Sequence, residues 1–589
     1  LTLLALVLAF WRPGLGERWF RFAEDKFKQL ARRQRLAVLI VGLVAVTARI
    51  AVLPILPVPQ PGVADEYSFL LGAETFAHGR VTNPTPRMWI HFETLHTIVK
   101  PTYMSMYPPA QGLFLAAGLV LAGTAFVGVL LSVGLMCAAI CWMLQGWFSP
   151  GWALLGGLLA VVRLDVFNYW ANSYWGGAVA ALGGALALGA LPRILKHAQI
   201  GDALWMGAGL ILLANSRPYA GLIFSLPLAV ALFLWLWKNK TLPLGKKIGR
   251  VVVPLTLVLT IAGAAMGYYF WRVTGSPFKM PEEVFRDTYA VAPYFLWQSP
   301  RPVPVYHNAA LRHFFLHGDL PFYEESRTLV GLVGVEFGRC LDFWLFYLGP
   351  ALTLPLLLLP ASLPLGFRWS TMTRPTRFLI LASVVSTAGI AVEAFFFPHY
   401  AAPMTGLVLA LVILAMRQLR GWRWHDRPVG RFVTRAVPAV CLLMLALRAA
   451  AVPLHIPITP TWPPSAYNSV PVHSPLVQFE RKLDSYPGKH LVIVVFSPDQ
   501  KSNAGFVHNS ADIEQSRIIW AWDMGAKKNE ELIRYYKNRD VWLMDPLEQP
   551  PRLLRYTTPA LLRIESAASS SPPATSHTGE AVSRKSMPK

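Results

Sequence analysis

The chain has 589 residues, 54% of them hydrophobic and only 15% charged, with a mean hydropathy of +0.41. A soluble fold has too little interior to hide that much apolar surface, and a net charge of +22 whose cations are scattered through short loops excludes a nucleic-acid-binding face. Four dispersed cysteines (Cys137, Cys141, Cys340 and Cys441) exclude a disulfide framework, and the first two share one face of an apolar helix.

Apolar stretches of about 20 residues, at 1.5 Å rise each, cross a hydrocarbon core of about 30 Å. In chain order, spans are predicted near 1–10, 36–57, 125–145, 152–163, 176–191, 203–215, 219–237, 251–270, 341–362, 378–396, 403–416 and 436–453. The first starts at Leu1, already inside an apolar run, and is read as incomplete. Segment 11–35 carries Arg12, Arg18, Arg21, Lys26, Lys28, Arg32, Arg33 and Arg35 against three acids, which marks it as cytoplasmic. Alternation then puts Arg193 with Lys196, the cluster from Lys238 to Arg250, Arg368 with Arg374 and Arg377, and the run from Arg417 to Arg435 on that same side. Outside lie 58–108, 164–175, 271–340 and everything after 454. Residues 110–122, opened by Tyr107-Pro108-Pro109, would invert every later loop if they crossed completely, so they are read as re-entrant or interfacial.

The first outer loop begins Gly62-Val63-Ala64-Asp65-Glu66-Tyr67 and runs through Trp89, His91, Glu93, His96 and Lys100 to Met106-Tyr107-Pro108-Pro109-Ala110-Gln111-Gly112. Adjacent acids in a first helical turn are mildly stabilising, so a solvated capping pair is one reading of Asp65 and Glu66 and a working pair the other. The second outer loop holds Arg163-Leu164-Asp165-Val166-Phe167-Asn168 and then Tyr169, Trp170, Tyr174 and Trp175, rings expected to form an interface belt. Asn215-Ser216-Arg217-Pro218-Tyr219 turns between two spans, and Pro398-His399-Tyr400-Ala401-Ala402-Pro403 makes a short outer turn. Glu393 stands near the outer end of an apolar span, a costly position unless it faces the interior. His313 and His317, with His307 and Asp319 nearby, lack the acid of a zinc-binding helix and are expected in a solvated loop.

Beyond the Pro-rich linker (Pro453, Pro457, Pro460, Pro463, Pro464), a strand is predicted at 490–496, helices at 511–523 (capped by Asn509 or Ser510) and 529–539, and a second strand at 541–544. The expected organisation is therefore a partial span and basic segment over 1–35, a membrane module over 36–453, a small extracytoplasmic α/β domain over 454–565, and a disordered Ser/Pro/Thr-rich tail over 566–589.

Taken together, the acidic pair after an early span, the Tyr-Pro-Pro opening of a short apolar segment, Asp165 in the second outer loop, the Arg217-Pro218 turn and the His399-Tyr400 turn resemble the GT-C superfamily. The resemblance is to its group of protein O-mannosyltransferases and aminoarabinose lipid A transferases (glycosyltransferase family 39), over roughly residues 36–416. It implies an all-α polytopic membrane fold of about 12 transmembrane helices, with the α/β domain appended. It also implies transfer of a sugar from a polyprenyl-phosphate donor, undecaprenyl phosphate in bacteria, to a glycan, lipid or protein acceptor on the outer face of the inner membrane. No metal, other cofactor or nucleic acid is expected.

Glycosyl transfer needs a base for the acceptor proton and cations or donors for the departing phosphate. Asp65 is the candidate base, which the resemblance also favours, with Glu66 orienting substrate or raising its neighbour's pKa. Arg217 is the candidate phosphate ligand, with Lys100, Tyr107, His399, Tyr400, Asp165 and Glu393 as further substrate-binding candidates. Snorkelling remains open for Arg217, and interfacial anchoring for His399 and Tyr400. A transporter or flippase, or a non-enzymatic component of polysaccharide assembly, is the rival reading. The first would show paired broken helices in internal repeats, which are not found, and the unassigned outer α/β domain suits the second.

Overall fold

The computed structural model describes residues 1–363, 368–459, 461, 465–497, 506–545, 552–557, 559–562 and 564. The expected disordered tail and linker residues Pro460, Pro463 and Pro464 lie outside these. The chain runs through helices α1 (Thr2–Trp11), α2 (Glu17–Arg32), α3 (Gln34–Ala51), α4 (Ala64–Ala77), α5 (Pro109–Ala122), α6 (Ala125–Trp147), α7 (Pro150–Leu164), α8 (Ala178–His197), α9 (Ile200–Ala214) and α10 (Pro218–Lys238). Long helical stretches follow over Leu244–Thr274, Leu329–Ser362, Pro398–Leu419 and Val429–Ala451, with a shorter helix over Arg374–Ile390. Among the described residues, eight helices are long and apolar enough to cross a membrane and four shorter ones are apolar. The chain is a multi-pass membrane protein, and a helix stands at each predicted span.

Two compact units divide the chain: Leu1–Pro59, Pro108–Met266 and Glu336–Pro471 form the first, and Gln60–Tyr107, Gly267–Val335 and Val472–Lys589 the second. In the first unit, Gln145 at the end of α6 donates to the Gln34 carbonyl at the start of α3 (3.0 Å), and Arg49 near the end of α3 lies over the ring of Phe126 at the start of α6 (5.0 Å). These helices are therefore antiparallel. A complete crossing by α5 would have made them parallel, so α5 returns to the side it left. Its 14 residues measure about 21 Å, against about 30 Å of hydrocarbon. Glycine makes the α5–α6 approach possible, since a Cβ on Gly118 would meet the Gly128 backbone and one on Gly128 the Phe114 carbonyl.

At the basic end of this unit, Glu24 of α2 meets Arg420 (2.9 Å) and Arg435 (2.8 Å), and Glu17 meets Arg435 and Arg431. Segments 11–35 and 417–435, read as sharing one side, do meet. Most of the basic segment 11–35 is helical, as the 16-residue α2. At the other end, Tyr174 donates to the Pro59 carbonyl (3.0 Å), Gln111 to the Tyr174 carbonyl (3.1 Å), and the Ala110 N–H to the Asn215 carbonyl (2.9 Å). Buried arginines in the last turns of three helices tie this end down. Arg49 donates to Leu56 and Ala171 carbonyls, Arg163 to Phe346 and Leu345, and Arg448 to Tyr467 and Ser469. A buried guanidinium is tolerable when its donors find carbonyls, and each such fork fixes a loop.

The aromatic residues of the second outer loop do not form an interface belt. Phe167, Tyr169, Trp170, Tyr174 and Trp175 are all buried; Trp170 packs on Phe346 and Tyr347, and Trp175 on Phe397 and His399. The arginine-bound carbonyls fold the loop inward, where the rings gain more from packing than from a headgroup boundary.

In the second unit, α4 and a three-stranded sheet ordered β1 (Asn83–Pro84), β3 (Thr102–Ser105), β2 (Thr97–Ile98) build the first outer loop. The C-terminal segment forms a four-stranded sheet in the order β5 (Ile518–Trp522), β4 (His490–Val494), β6 (Asp540–Asp545), β7 (Arg552–Arg555), parallel except for the β6–β7 pair. The helix expected over 511–523 is not formed: Ile518–Trp522 is the strand β5, buried from Ile519 to Trp522. Ile-Ile-Trp-Ala-Trp is a continuous β-branched and aromatic run, which suits a parallel strand covered on both faces. Asn509, expected as a helix cap, instead bonds the Trp520 N–H and carbonyl (2.8 Å each). The following helix begins at Ala526, three residues before 529, and Pro475–Asp484 and β7 are further elements that the sequence reading lacked. One apolar core joins Leu71, Phe92, Val99 and Tyr103 to Leu491, Ile519 and Leu532, so the C-terminal sheet shares its interior with the first outer loop.

Candidate active site

The sequence candidates divide between the units: Asp65, Glu66, Lys100 and Tyr107 in the second, and Asp165, Arg217, Glu393, His399 and Tyr400 in the first. Helix α4 starts where Glu66 reaches back to the N–H groups of Gly62 (2.7 Å) and Val63 (3.3 Å), answering donors that a helix start leaves open. Glu66 is buried in that task. Asp65, one residue earlier, points away with its side chain 20% exposed.

The Tyr107 hydroxyl donates to Asp65 Oδ1, and its oxygen lies 2.8 Å from His96 Nδ1. With the tyrosine proton committed to the carboxylate, His96 must carry its proton on Nδ1 and donate it to the tyrosine oxygen. Its Nε2 then stands 3.9 Å from Asp65 Oδ2. His96 is held firmly. Its backbone takes φ +60°, a left-handed conformation that a non-glycine residue adopts only when its surroundings impose it. Ser68 Oγ (2.5 Å) and the Met106 N–H (3.1 Å) both donate to its carbonyl. Its ring runs nearly parallel to those of Tyr107 and Phe285, with Phe314 edge-on. Burial holds the imidazole below the ordinary histidine range; Asp65 opposes this and the Arg286 charge adds to it.

Lys100 is not among the groups around Asp65; its ammonium lies 3.6 Å from the Trp89 ring centroid. Glu93, buried, receives the Tyr289 hydroxyl (2.7 Å) and meets His307 (3.0 Å), while the Trp522 indole donates to its carbonyl (2.8 Å). Burial raises the Glu93 carboxyl above the ordinary range against the pull of Tyr289 and His307. His313 and His317 stack on one another, and among the described residues no three His, Cys, Asp or Glu side chains gather as a metal site.

In the first unit, the Arg217 guanidinium lies 4.3 Å from the centroid of the Tyr400 ring, at the start of α10. His399 is 1% exposed and bonds the Tyr169 hydroxyl through Nδ1 (2.9 Å), so it is a packed residue and not an interfacial anchor. Asp165, directly after α7, is also 1% exposed, and among the described residues neither carboxylate oxygen has a hydrogen-bond partner; Arg49 supplies the compensating charge. Glu393 does not lie inside a span, because the helix ends at Ile390 and the acid follows in a turn beside Arg339. Arg217, Tyr400, His399 and the Asp165 loop thus gather at the end of the bundle away from its basic segments.

No family model matches the chain, and no curated protein matches it. Solved structures do resemble it. The oligosaccharyltransferase of Archaeoglobus fulgidus, solved with Zn and sulfate, is 14% identical with a TM-score of 0.43, covering 78% of this chain and 60% of its own. The same organism's AglB, in complex with an inhibitory peptide and a dolichol-phosphate, is 13% identical with a TM-score of 0.38, covering 78% and 62%. ArnT from Cupriavidus metallidurans in the apo state is 13% identical with a TM-score of 0.40, covering 86% and 92%. The chain thus spans about three-fifths of the archaeal oligosaccharyltransferase. At this level of similarity the likenesses carry no donor, acceptor or residue role across.

Sequence reasoning passed over three residues that the structure makes prominent: His96, Arg286 and Arg49. Nothing in their spacing marks them. Arg286 lies 190 positions beyond His96 in sequence, yet its charge acts on that ring. The one available signal was the presence of His96 between the acidic pair and Tyr107.

Proposed function

We propose that the chain is an inner-membrane glycosyltransferase that moves a sugar from a polyprenyl-phosphate donor to an extracytoplasmic glycan, lipid or protein acceptor, with Asp65 as general base. The observation that carries this reading is the Tyr107–Asp65–His96 arrangement. One carboxylate oxygen is held by a tyrosine that a locked histidine orients in turn, and the other is left to take a proton.

In the reaction, the acceptor hydroxyl gives its proton to Asp65 Oδ2 as its oxygen bonds to the anomeric carbon. The bond from that carbon to the phosphate oxygen breaks, and the electron pair leaves with the lipid phosphate. Arg217 is proposed to hold that phosphate, on the support of its half-buried guanidinium and the Tyr400 face beneath it. Tyr400 and His399 define that setting, Asp165, Glu393 and Lys100 remain proposed as residues that shape substrate binding, and Glu66 is proposed as the base's neighbour, holding the start of the helix that carries Asp65. No metal or cofactor enters the scheme.

The test is turnover of a panel of radiolabelled polyprenyl-phosphate sugars by the purified wild type and Asp65→Asn, with donor binding measured in parallel. Turnover of one donor by the wild type, with binding but no turnover in the variant, supports the reading. Equal turnover by both proteins removes Asp65 as the base, and donor-independent behaviour of both moves transport or assembly ahead.

A further inference from the structure

The basic end of the first unit holds a surface that the proposed chemistry does not use. All three acids of segment 11–35 are paired: Glu17 with Arg21, Arg431 and Arg435, Glu24 with Arg420 and Arg435, and Asp25 with Lys28. Of the segment's cations, Arg12, Arg18, Lys26, Arg32, Arg33 and Arg35 are all exposed and none has a carboxylate partner among the described residues. On α2, Trp19 (80% exposed) and Phe22 (64%) share a face with Lys26 at helical spacing. The flanking helices α1 and α3 expose Leu3, Leu4, Val7, Leu39 and Leu43, as lipid-facing helices do. Unpaired cations interleaved with exposed aromatic rings, between two such helices, are what a headgroup boundary accepts.

We propose that α2 is an interfacial helix that docks on anionic phospholipids, with Trp19 and Phe22 entering the acyl boundary and the six cations meeting headgroup phosphates. A protein partner fits less well, because the surface is continuous with helices that face lipid. Through Glu17 and Glu24, the same contact steadies Arg420, Arg431 and Arg435, and with them the basic ends of the last two long helices.

The test uses the full chain in nanodiscs of phosphatidylcholine alone or mixed with phosphatidylglycerol, reading the thermal unfolding midpoint. The wild type gains stability from phosphatidylglycerol, the gain falls as salt screens it, and the variant R18Q/K26Q/R32Q/R33Q/R35Q loses it. The variant K238Q/K240Q/K246Q/R250Q, altered in the other basic loop, keeps it. A wild-type midpoint indifferent to lipid charge overturns the proposal, as does loss of the gain in the second variant alone. Equal stabilisation by glycerol phosphate added to phosphatidylcholine discs also overturns it, since that would make the surface a site for free anions. If the glutamine variant does not fold, R18K/R32K/R33K/R35K must retain the wild-type dependence, and its loss there counts against the proposal.

Discussion

At the residue scale, Asp65 is held by one oxygen and open at the other, and this fixes what its neighbours should do. Tyr107→Phe removes a hydrogen bond to a charged group, worth about 1.5–3 kcal/mol, so kcat should fall roughly 10- to 100-fold with donor binding unchanged. Single-turnover and binding measurements separate the two effects. His96 sets an acid limb. Because its pKa is depressed, the ring is neutral at neutral pH; as the pH falls through that depressed value, a proton arrives on Nε2 and engages Asp65 Oδ2. The kcat profile should therefore fall on the acid side, and His96→Gln should move that limb to lower pH. An unchanged limb would separate His96 from the proton chemistry. Asp65 and Tyr107 were legible as candidates from the acidic pair and the Tyr-Pro-Pro motif. The sequence put Asp65 ahead of Glu66 as the base, but left open a shared capping role; the bonds from the Gly62 and Val63 N–H groups give that role to Glu66 alone.

At the scale of elements, α5 shows what charge counting can reach. Loop charges required residues 110–122 not to cross, and the antiparallel α3–α6 contacts agree. Single cysteines replacing Val58 and Ala122 should accordingly be labelled by an impermeant maleimide from the same side of the membrane; labelling from opposite sides would invert every later loop. Gly128→Ala drives a methyl into the Phe114 carbonyl and should cost about 1–3 kcal/mol or more, read as a lowered unfolding midpoint. Element type failed at β5 because a short apolar run has no period that distinguishes strand from helix, and parallel pairing with β4 decides it. The Glu393 span failed for a related reason: hydropathy continues past Ile390, but the helix does not.

At the scale of the whole molecule, the C-terminal segment and the first outer loop share one core. Removing residues 472–589 should leave Leu71, Phe92 and Tyr103 without their packing partners, and limited proteolysis should then cut between residues 78 and 107, which the intact chain protects. The second unit also carries carboxyls pushed up to about 7, Asp319 by burial against the pull of Arg286 and Glu480 by burial against the pull of Trp520. Because their folded values lie above their unfolded ones, they favour the fold fully below the ordinary carboxylate range, and the benefit is lost as pH rises towards 7. Asp319→Asn with Glu480→Gln should flatten the fall in stability between about pH 4 and 7, measured by thermal unfolding across that range.

Composition alone determined that this chain spans a membrane many times and roughly where its apolar spans lie, because lipid tolerates little besides apolar helices. Only the tertiary structure decided that the second loop's aromatic rings are buried, that Glu66 caps while Asp65 stays open, and that His96 orients Tyr107. The ring burial depends on residues up to hundreds of positions apart meeting in space, as Trp170 meets Phe346 and Trp175 meets His399, while the orientations of Glu66, Asp65 and His96 depend on the path the backbone takes between them.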